Sequence, residues 1–464
     1  MQIEQIYTAC LSQGSYYVIS KDEAIIIDPI REIEPYLDRS KRDGVKIKYI
    51  LETHFHADFV SGHLDLAKAT GSKIIYGPKA NPTFEFYSAK DGEQLNFGNV
   101  FFKVIHTPGH TMESTCYLLF DENDKEYALF SGDTLFIGDV GRPDLAQKSN
   151  SMTKEQLAGM LFHSLRNKIM ILPNEVIVYP AHGAGSACGK KLSEETVSTI
   201  GEQKKNNYAL RSDMTETEFI EEVTNGLLPP PGYFGMNVAM NKLGYDSISD
   251  VMKRGMTPLK LESFKQLIEN KEIIILDTRK AEEFAKGFIK NSLFVGLDGQ
   301  FAPWVGAMIP NVNQQIVLVT EIGKEEETIK RLARVGYDRV LGYLDGGFDN
   351  WRNSNQPVEK IERIDAEEFA FEIQRNPIVI DVRKPGEFEE SHVVGATNIP
   401  LEYLNENLHR FPKESFLLHC AGGYRSMIAA SVLRKNGIRN FVDVVGGFSA
   451  ILKKEVKTSR LQSQ

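Results

Sequence analysis

The sequence predicts a multidomain α/β protein, and three observations carry that prediction. The chain has 464 residues, which at roughly 100–200 residues per domain suggests about three domains. Short β-rich runs alternate with helical segments along its length. The second half contains an internal repeat. EIIILDTRKAEEFAKGFIKNSLFVGL at 272–297 matches PIVIDVRKPGEFEESHVVGATNIPL at 377–401. Both copies run strand, D-x-R, E-F and then an apolar pair, and both close on a GGF segment. Strands alternating with helices in each copy predict two homologous α/β domains in tandem.

In the first domain YYVIS, EAIIIDP, KIKYILE, SKIIYG and NVFFKVIH read as strands, followed by CYLLFD, YALFSGD and EVIVYPAH. DFVSGHLDLAKATG reads as a helix closed by Gly71. From about Lys190 to Asn225 the text turns polar and helical. The Pro-rich stretch LLPPPGYFG at 227–235 favours a stiff, extended segment. The predicted division is residues 1–240 for the first domain, 241–257 for a linker, 258–357 and 361–454 for the two copies, and 455–464 for a tail.

Composition is that of a globular chain, 42% apolar and 25% charged. Asp and Glu (63) outnumber Lys and Arg (54), giving a net charge of −9, which argues against nucleic acid and anionic membranes as partners. The opening MQIEQIYTACLSQGSYYVIS has no basic region leading into an apolar one, and no apolar run approaches the ~20 residues of a membrane span. A cytoplasmic protein is expected. The four cysteines, Cys10, Cys116, Cys188 and Cys420, match no zinc knuckle and no disulfide framework, so each is read alone. Cys10 and Cys116 fall in strand segments and read as small core residues.

The segment THFHADFVSGH at 53–63 follows the strand YILE. In an extended segment residues two apart share a side, so His54, His56 and Asp58 could converge on one point. His110 in TPGHT, Asp133 in SGDT and His182 in YPAHG each stand where a strand gives way to a glycine-bearing loop. Polar residues delivered by rigid strands suit a preformed metal site.

These residues resemble the metallo-β-lactamase superfamily over about 1–225, with Asp28 of IIIDP included. The resemblance implies an αββα sandwich. Its H-x-H-x-D-H signature appears as His54, His56 and Asp58, then departs at Phe59, where two-metal hydrolases of the superfamily have histidine. Phenylalanine cannot ligate, so one metal is expected. Within the superfamily the persulfide dioxygenases look closest. That resemblance implies one Fe(II) per chain on His54, His110 and Asp133, two imidazoles and a carboxylate with open positions, as in non-haem iron oxygenases. His56, Asp58 and His182 would then orient ligands or water, with His56 a possible ligand. FIGDVGRPDL at 136–145 also resembles that group. Arg142 would grip an anionic group of the persulfide carrier, or else pair with Asp144 at the surface. Cys188 would face the substrate channel, or be a plain loop thiol.

The second strong signal is LLHCAGGYRS at 417–426. A strand ends at Cys420, the loop Ala421, Gly422, Gly423 and Tyr424 follows, and a helical pattern begins. Loop amides and the helix N-terminus would face the sulfur, and Arg425 adds positive charge; together they favour a thiolate or bound persulfide. This resembles rhodanese over about 361–454. C-x₄-R gives a smaller ring than the C-x₅-R of tyrosine phosphatases, which fits a transferred sulfur better. Asp381, Arg383 and His392 read as scaffold. In the first copy Thr320 or Glu321 takes the cysteine's place, and the surrounding residues are acidic. That copy is expected to be an inactive spacer.

The resemblance implies oxidation of a low-molecular-weight persulfide by O₂ to sulfite and thiol, coupled through Cys420 to the formation or use of thiosulfate, in a homo-oligomer. The competing enzyme is a glyoxalase II-like thioester hydrolase, which would use zinc. A sulfur-binding module without turnover is the third reading.

Overall fold

The computed structural model describes residues 1–145, 152–190, 192–227 and 229–459. Leu228 of the Pro-rich stretch and the end of the expected tail lie outside the described residues. The chain forms two compact units, Met1–Asp250 with Ala333–Gly336, and Val251–Leu332 with Tyr337–Gln464.

The first unit is built on two six-stranded sheets. One runs β1 (Gln2–Thr8), β2 (Gln13–Ser20), β3 (Glu23–Ile27), β4 (Lys46–Glu52), β5 (Lys73–Tyr76) and β6 (Tyr87–Ser88), in chain order. The other comprises β7 (Gln94–Phe97), β8 (Val100–His106), β9 (Thr115–Phe120), β10 (Glu126–Gly132), β11 (Ile177–Pro180) and β12 (Ser198–Thr199), again as sequential neighbours. The apolar runs are continuous because both faces of each sheet are covered. Tyr16, Val18, Ile25 and Ile27 meet Phe102, Tyr117, Leu119 and Phe130 between the sheets. Their neighbours Tyr17, Ala24 and Ile26 pack outward with Tyr36 and Leu66 of the helices Glu34–Asp43 and His63–Thr70. Leu118 and Leu129 pack outward with Leu161 and Phe219 of the helices Lys154–Ser164 and Glu216–Thr224. Period-two alternation thus feeds two cores per strand, and the αββα sandwich follows.

The helix expected from Asp58 begins only at His63 and ends, as expected, at Gly71 in the left-handed conformation (φ 71°). Cys116 is buried in β9, but Cys10 lies in the short turn Ala9–Leu11 and is partly exposed. The stretch read as a linker is largely helical, with helices at Phe234–Leu243 and Ile248–Gly255.

The second unit contains two five-stranded parallel sheets of the same design. The first places β13 (Pro258–Leu259), β14 (Ile274–Asp277), β15 (Leu293–Phe294), β16 (Ile316–Val319) and β17 (Val340–Leu344) in the order 13-17-16-14-15. The second takes β18 (Arg363–Ile364), β19 (Ile378–Asp381), β21 (Thr397–Asn398), β22 (Phe416–His419) and β23 (Phe441–Val444) in the order 18-23-22-19-21. A small ribbon pairs β20 (His392–Val393) with β24 (Thr458–Ser459). Among the described residues no helix is long and apolar enough to cross a membrane.

Candidate metal centre and cysteine loop

The centre is assembled where β3, β4 and β10 end. Asp28, at the end of β3, takes a left-handed φ of 49°. Its carboxylate accepts hydrogen bonds from Thr53 N (2.8 Å) and Thr53 Oγ1 (2.9 Å). This ties the loop after β4 to the neighbouring strand. Thr53 Oγ1 in turn lies 2.9 Å from His54 Nδ1, which fixes that ring. His110 Nδ1 lies 2.9 Å from the Arg142 carbonyl, a partner that only accepts, so this nitrogen carries the proton and Nε2 presents a lone pair. His54 Nε2 and His110 Nε2 face Asp133 Oδ2 at 3.8 and 3.4 Å. Burial, with the neighbouring histidines, holds the His54 pKa well below its ordinary value, so the ring is neutral. Gly132 precedes Asp133 at φ 53°, and a Cβ there would sit 2.7 Å from the Thr53 side chain. Glycine is required for β10 to deliver Asp133 against the β4 loop.

Asp133 has a second face. Its Oδ1 lies 3.6 Å from His182 Nε2, which is also 3.5 Å from Asp58 Oδ2. Asp58, His182 and Cys188 form a second buried group whose ligand atoms lie within 4.8 Å of one another, as do those of His54, His110 and Asp133. Both oxygens of Asp58 and of Asp133, and Nε2 of His182, are buried without a hydrogen-bond partner. Buried carboxylates without donors are costly, and a cation is the partner that this set of oxygens and imidazoles fits.

His56 points elsewhere. Its Nε2 lies 3.0 Å from Asp28 Oδ1 and 3.5 Å from Glu52 Oε2. Burial opposes charge on this ring, but the two carboxylates outweigh it and hold the His56 pKa well above its usual value. Phe59 lies against the same ring, with centroids 4.3 Å apart. The expected convergence of His54, His56 and Asp58 therefore does not occur. Residues 53–59 are irregular rather than extended, and the three side chains enter three different groups. Arg142 and Asp144 do pair, at 2.6 and 2.7 Å, but inside the protein rather than at its surface. Arg142 also donates to the Ala187 carbonyl, and its N–H to the Cys188 carbonyl (3.0 Å), so the pair clamps the loop carrying Cys188. Burial pushes the Cys188 thiol well up.

In the second unit Cys420 follows β22 and is buried. Gly423 N donates to its Sγ at 3.1 Å, the helix Tyr424–Lys435 begins at the next residue, and Gly423 itself has φ 99°. Phe448 N and Ser449 N donate to the carbonyls of Cys420 (2.7 Å) and Ala421 (2.9 Å). Arg425 is engaged by Glu387, with two bonds of 2.6 and 2.7 Å, so its charge reaches the loop already paired. Asp381 and Arg383 form a buried ion pair (2.6 Å), and His392 Nδ1 contacts the Phe388 carbonyl; both serve as scaffold. The sheet register settles the first copy. Asp277 aligns with Val319 as Asp381 does with His419, so Thr320 stands where the other copy has Cys420.

Comparison with known proteins agrees with this division. The metallo-beta-lactamase superfamily model matches residues 11–182, and the rhodanese-like domain model matches 260–354 and 365–454. Persulfide dioxygenase ETHE1 of Homo sapiens is 30% identical over 221 residues, covering 47% of this chain and 78% of that protein. The chain belongs to the metallo-beta-lactamase superfamily. A hydroxyacylglutathione hydrolase of Tolumonas auensis is 34% identical over 184 residues, 38% of this chain and 65% of that one. The crystal structure of a metallo-beta-lactamase from Staphylococcus aureus superposes with a TM-score of 0.65 at 31% identity, covering 74% of this chain and 98% of that one. A superfamily domain related about equally to a persulfide dioxygenase and to a hydroxyacylglutathione hydrolase is thus followed by two rhodanese-like domains.

Two functional neighbours escaped the sequence reading. Glu52 ends the apolar strand KIKYILE, and a carboxylate closing so apolar a run was the available signal; the structure buries it completely. Glu387 had none, because its pairing with Arg425 is visible only in three dimensions.

Proposed function

We propose that the first domain is a mononuclear non-haem iron persulfide dioxygenase and that the last is a sulfurtransferase acting through Cys420. The observation that supports this best is the fate of His56 and Phe59. One imidazole is turned onto Asp28 and Glu52, the other is replaced by a phenyl ring, and two histidines and one carboxylate remain around the first cation position. A ferrous ion there would supply activation of O₂ and a hold on a substrate sulfur. The chain's own residues do the rest. Asp28 and Thr53 orient His54, the Arg142 carbonyl orients His110, and the Arg142–Asp144 clamp fixes the loop that carries Cys188 beside Asp58 and His182.

In the last domain the Cys420 thiolate attacks the outer sulfur of thiosulfate, the sulfur–sulfur bond breaks, and sulfite leaves with its electron pair. Gly423 N and the helix N-terminus stabilise the resulting persulfide anion. Sulfite, the product of the first domain, is the natural acceptor in the opposite direction.

A thioester hydrolase is the second reading, favoured by the Asp58–His182–Cys188 group beside Asp133 and by the kinship with hydroxyacylglutathione hydrolases. The deciding test is O₂ consumption by the Fe(II)-loaded protein on adding glutathione persulfide or coenzyme A persulfide. Rapid uptake, lost in His110→Ala, is expected. Zinc-dependent thioester hydrolysis without O₂ uptake would overturn the reading.

A further inference from the structure

The Cys420 loop is held on two sides, and one of them lies outside its own domain. Within the second copy, Phe448 N and Ser449 N hold the start of the loop, and Glu387 holds Arg425. Between those anchors lie Gly422, with open space where a Cβ would be, and Gly423, whose N–H is the donor to Sγ. Two consecutive glycines have no side chains with which to anchor themselves, and they give the backbone its widest freedom. The next residue is Tyr424. Its hydroxyl donates to the carbonyl of Gly296, in the first copy, at 2.7 Å. Burial pushes the Tyr424 pKa up and keeps the phenol a donor.

The ring sits in a socket made by that copy. Phe294 packs on it edge-on, with centroids 6.1 Å apart. A Cβ on Gly296 would come 3.3 Å from Cε2 of the ring, and one on Gly299 would overlap its Cζ. Gly299 has no positive φ that would call for glycine, so the Tyr424 ring is the reason a side chain is excluded. The same helix is fixed a second time, where Phe294 N donates to Ser431 Oγ at 3.0 Å. In the first copy Lys324 takes the corresponding place and pairs locally with Glu327.

We propose that the cysteine-less rhodanese copy positions the Cys420 loop of the active copy, with Tyr424 as the positioning residue and Phe294, Gly296 and Gly299 as its socket. The inference concerns the sulfurtransferase reading, but its first readout does not require that activity.

The test uses the full-length chain with Gly299→Val, Tyr424→Ala, both together, and Tyr424→Phe. The pH at which Cys420 is half-maximally alkylated by iodoacetamide is followed on its own peptide. The rate of sulfur transfer from thiosulfate to cyanide is followed in parallel. Arg425 with Glu387, and Arg363 with Asp443, stand beside the loop and are untouched by the variants. Each of the first two variants is expected to raise the alkylation midpoint by about one pH unit, a tenfold loss of thiolate at neutral pH. The kcat should fall about as much, with KM for thiosulfate within about twofold, because thiosulfate does not touch Tyr424 in this account. The double variant should be no worse than the worse single one, since both act on one contact. Tyr424→Phe keeps the ring, folds without strain and should show only a fraction of the shift. An unchanged midpoint in both single variants, or effects that multiply in the double variant, would overturn the proposal. A shifted midpoint in a chain that transfers no sulfur at all would uphold the socket while removing the sulfurtransferase reading.

Discussion

The two rhodanese copies share a backbone and differ in chemistry at the same loop. Gly323 and Gly423 take φ values of 85° and 99°; Gly346–Gly347 and Gly446–Gly447 are likewise left-handed in both. Each copy buries an Asp–Arg pair at 2.6 Å, and each arginine lies over a phenylalanine ring, 4.0 Å from Phe348 for Arg279 and 3.9 Å from Phe448 for Arg383. Against that common frame stand Thr320 in place of Cys420 and Glu325 in place of Arg425. The loop's shape is therefore a property of the glycines and the sheet, and Cys420 with Arg425 is a separate addition to it.

The strongest way to break this comparison is at the nucleophile. Cys420→Ser should reduce sulfur transfer at least about a thousandfold. Thr320→Cys should not restore it, because Glu325–Glu327 disfavour a thiolate; the mass of each cysteine peptide after exposure to thiosulfate checks both. Next come the buried pairs. Arg279→Ala and Arg383→Ala should each cost about 3–5 kcal/mol in denaturant unfolding, since each leaves a carboxylate buried and unpaired. A much larger cost in one copy would show that the copies are not equivalent scaffolds. The glycines sharpen the contrast. Gly323→Ala and Gly423→Ala should each cost about 1–2 kcal/mol for the left-handed backbone, and only the second should slow transfer. The smallest effect is expected from Glu387→Gln. Releasing Arg425 from its partner should lower KM for thiosulfate by about threefold, and added salt should erase the gain, as befits a partly exposed ion pair.

The sandwich and the tandem repeat were legible in the sequence because period-two runs and repeated D-x-R frames are local signals. His54, His110, Asp133, Cys420 and its glycines were legible for the same reason, each standing where a strand stops. Three features were not. The direction of His56 depends on Asp28 and Glu52, which a neighbouring strand and the preceding residues bring to it, and an irregular loop carries no periodicity to reveal it. The Glu387–Arg425 bond joins residues on different elements. The seat of Tyr424 joins different domains, and from the sequence alone that tyrosine is only the residue after a glycine pair.

The two buried oxygens of Asp133, together with those of Asp58, make the first domain's stability a matter of mass action. Carboxylates held apart from water and from any donor weigh against the fold, and a cation that binds only the folded chain relieves them. At a hundred times its dissociation constant such an ion adds about 2.7 kcal/mol to stability. Chelation should therefore lower the melting temperature of this unit, and the concentration of free metal should set by how much.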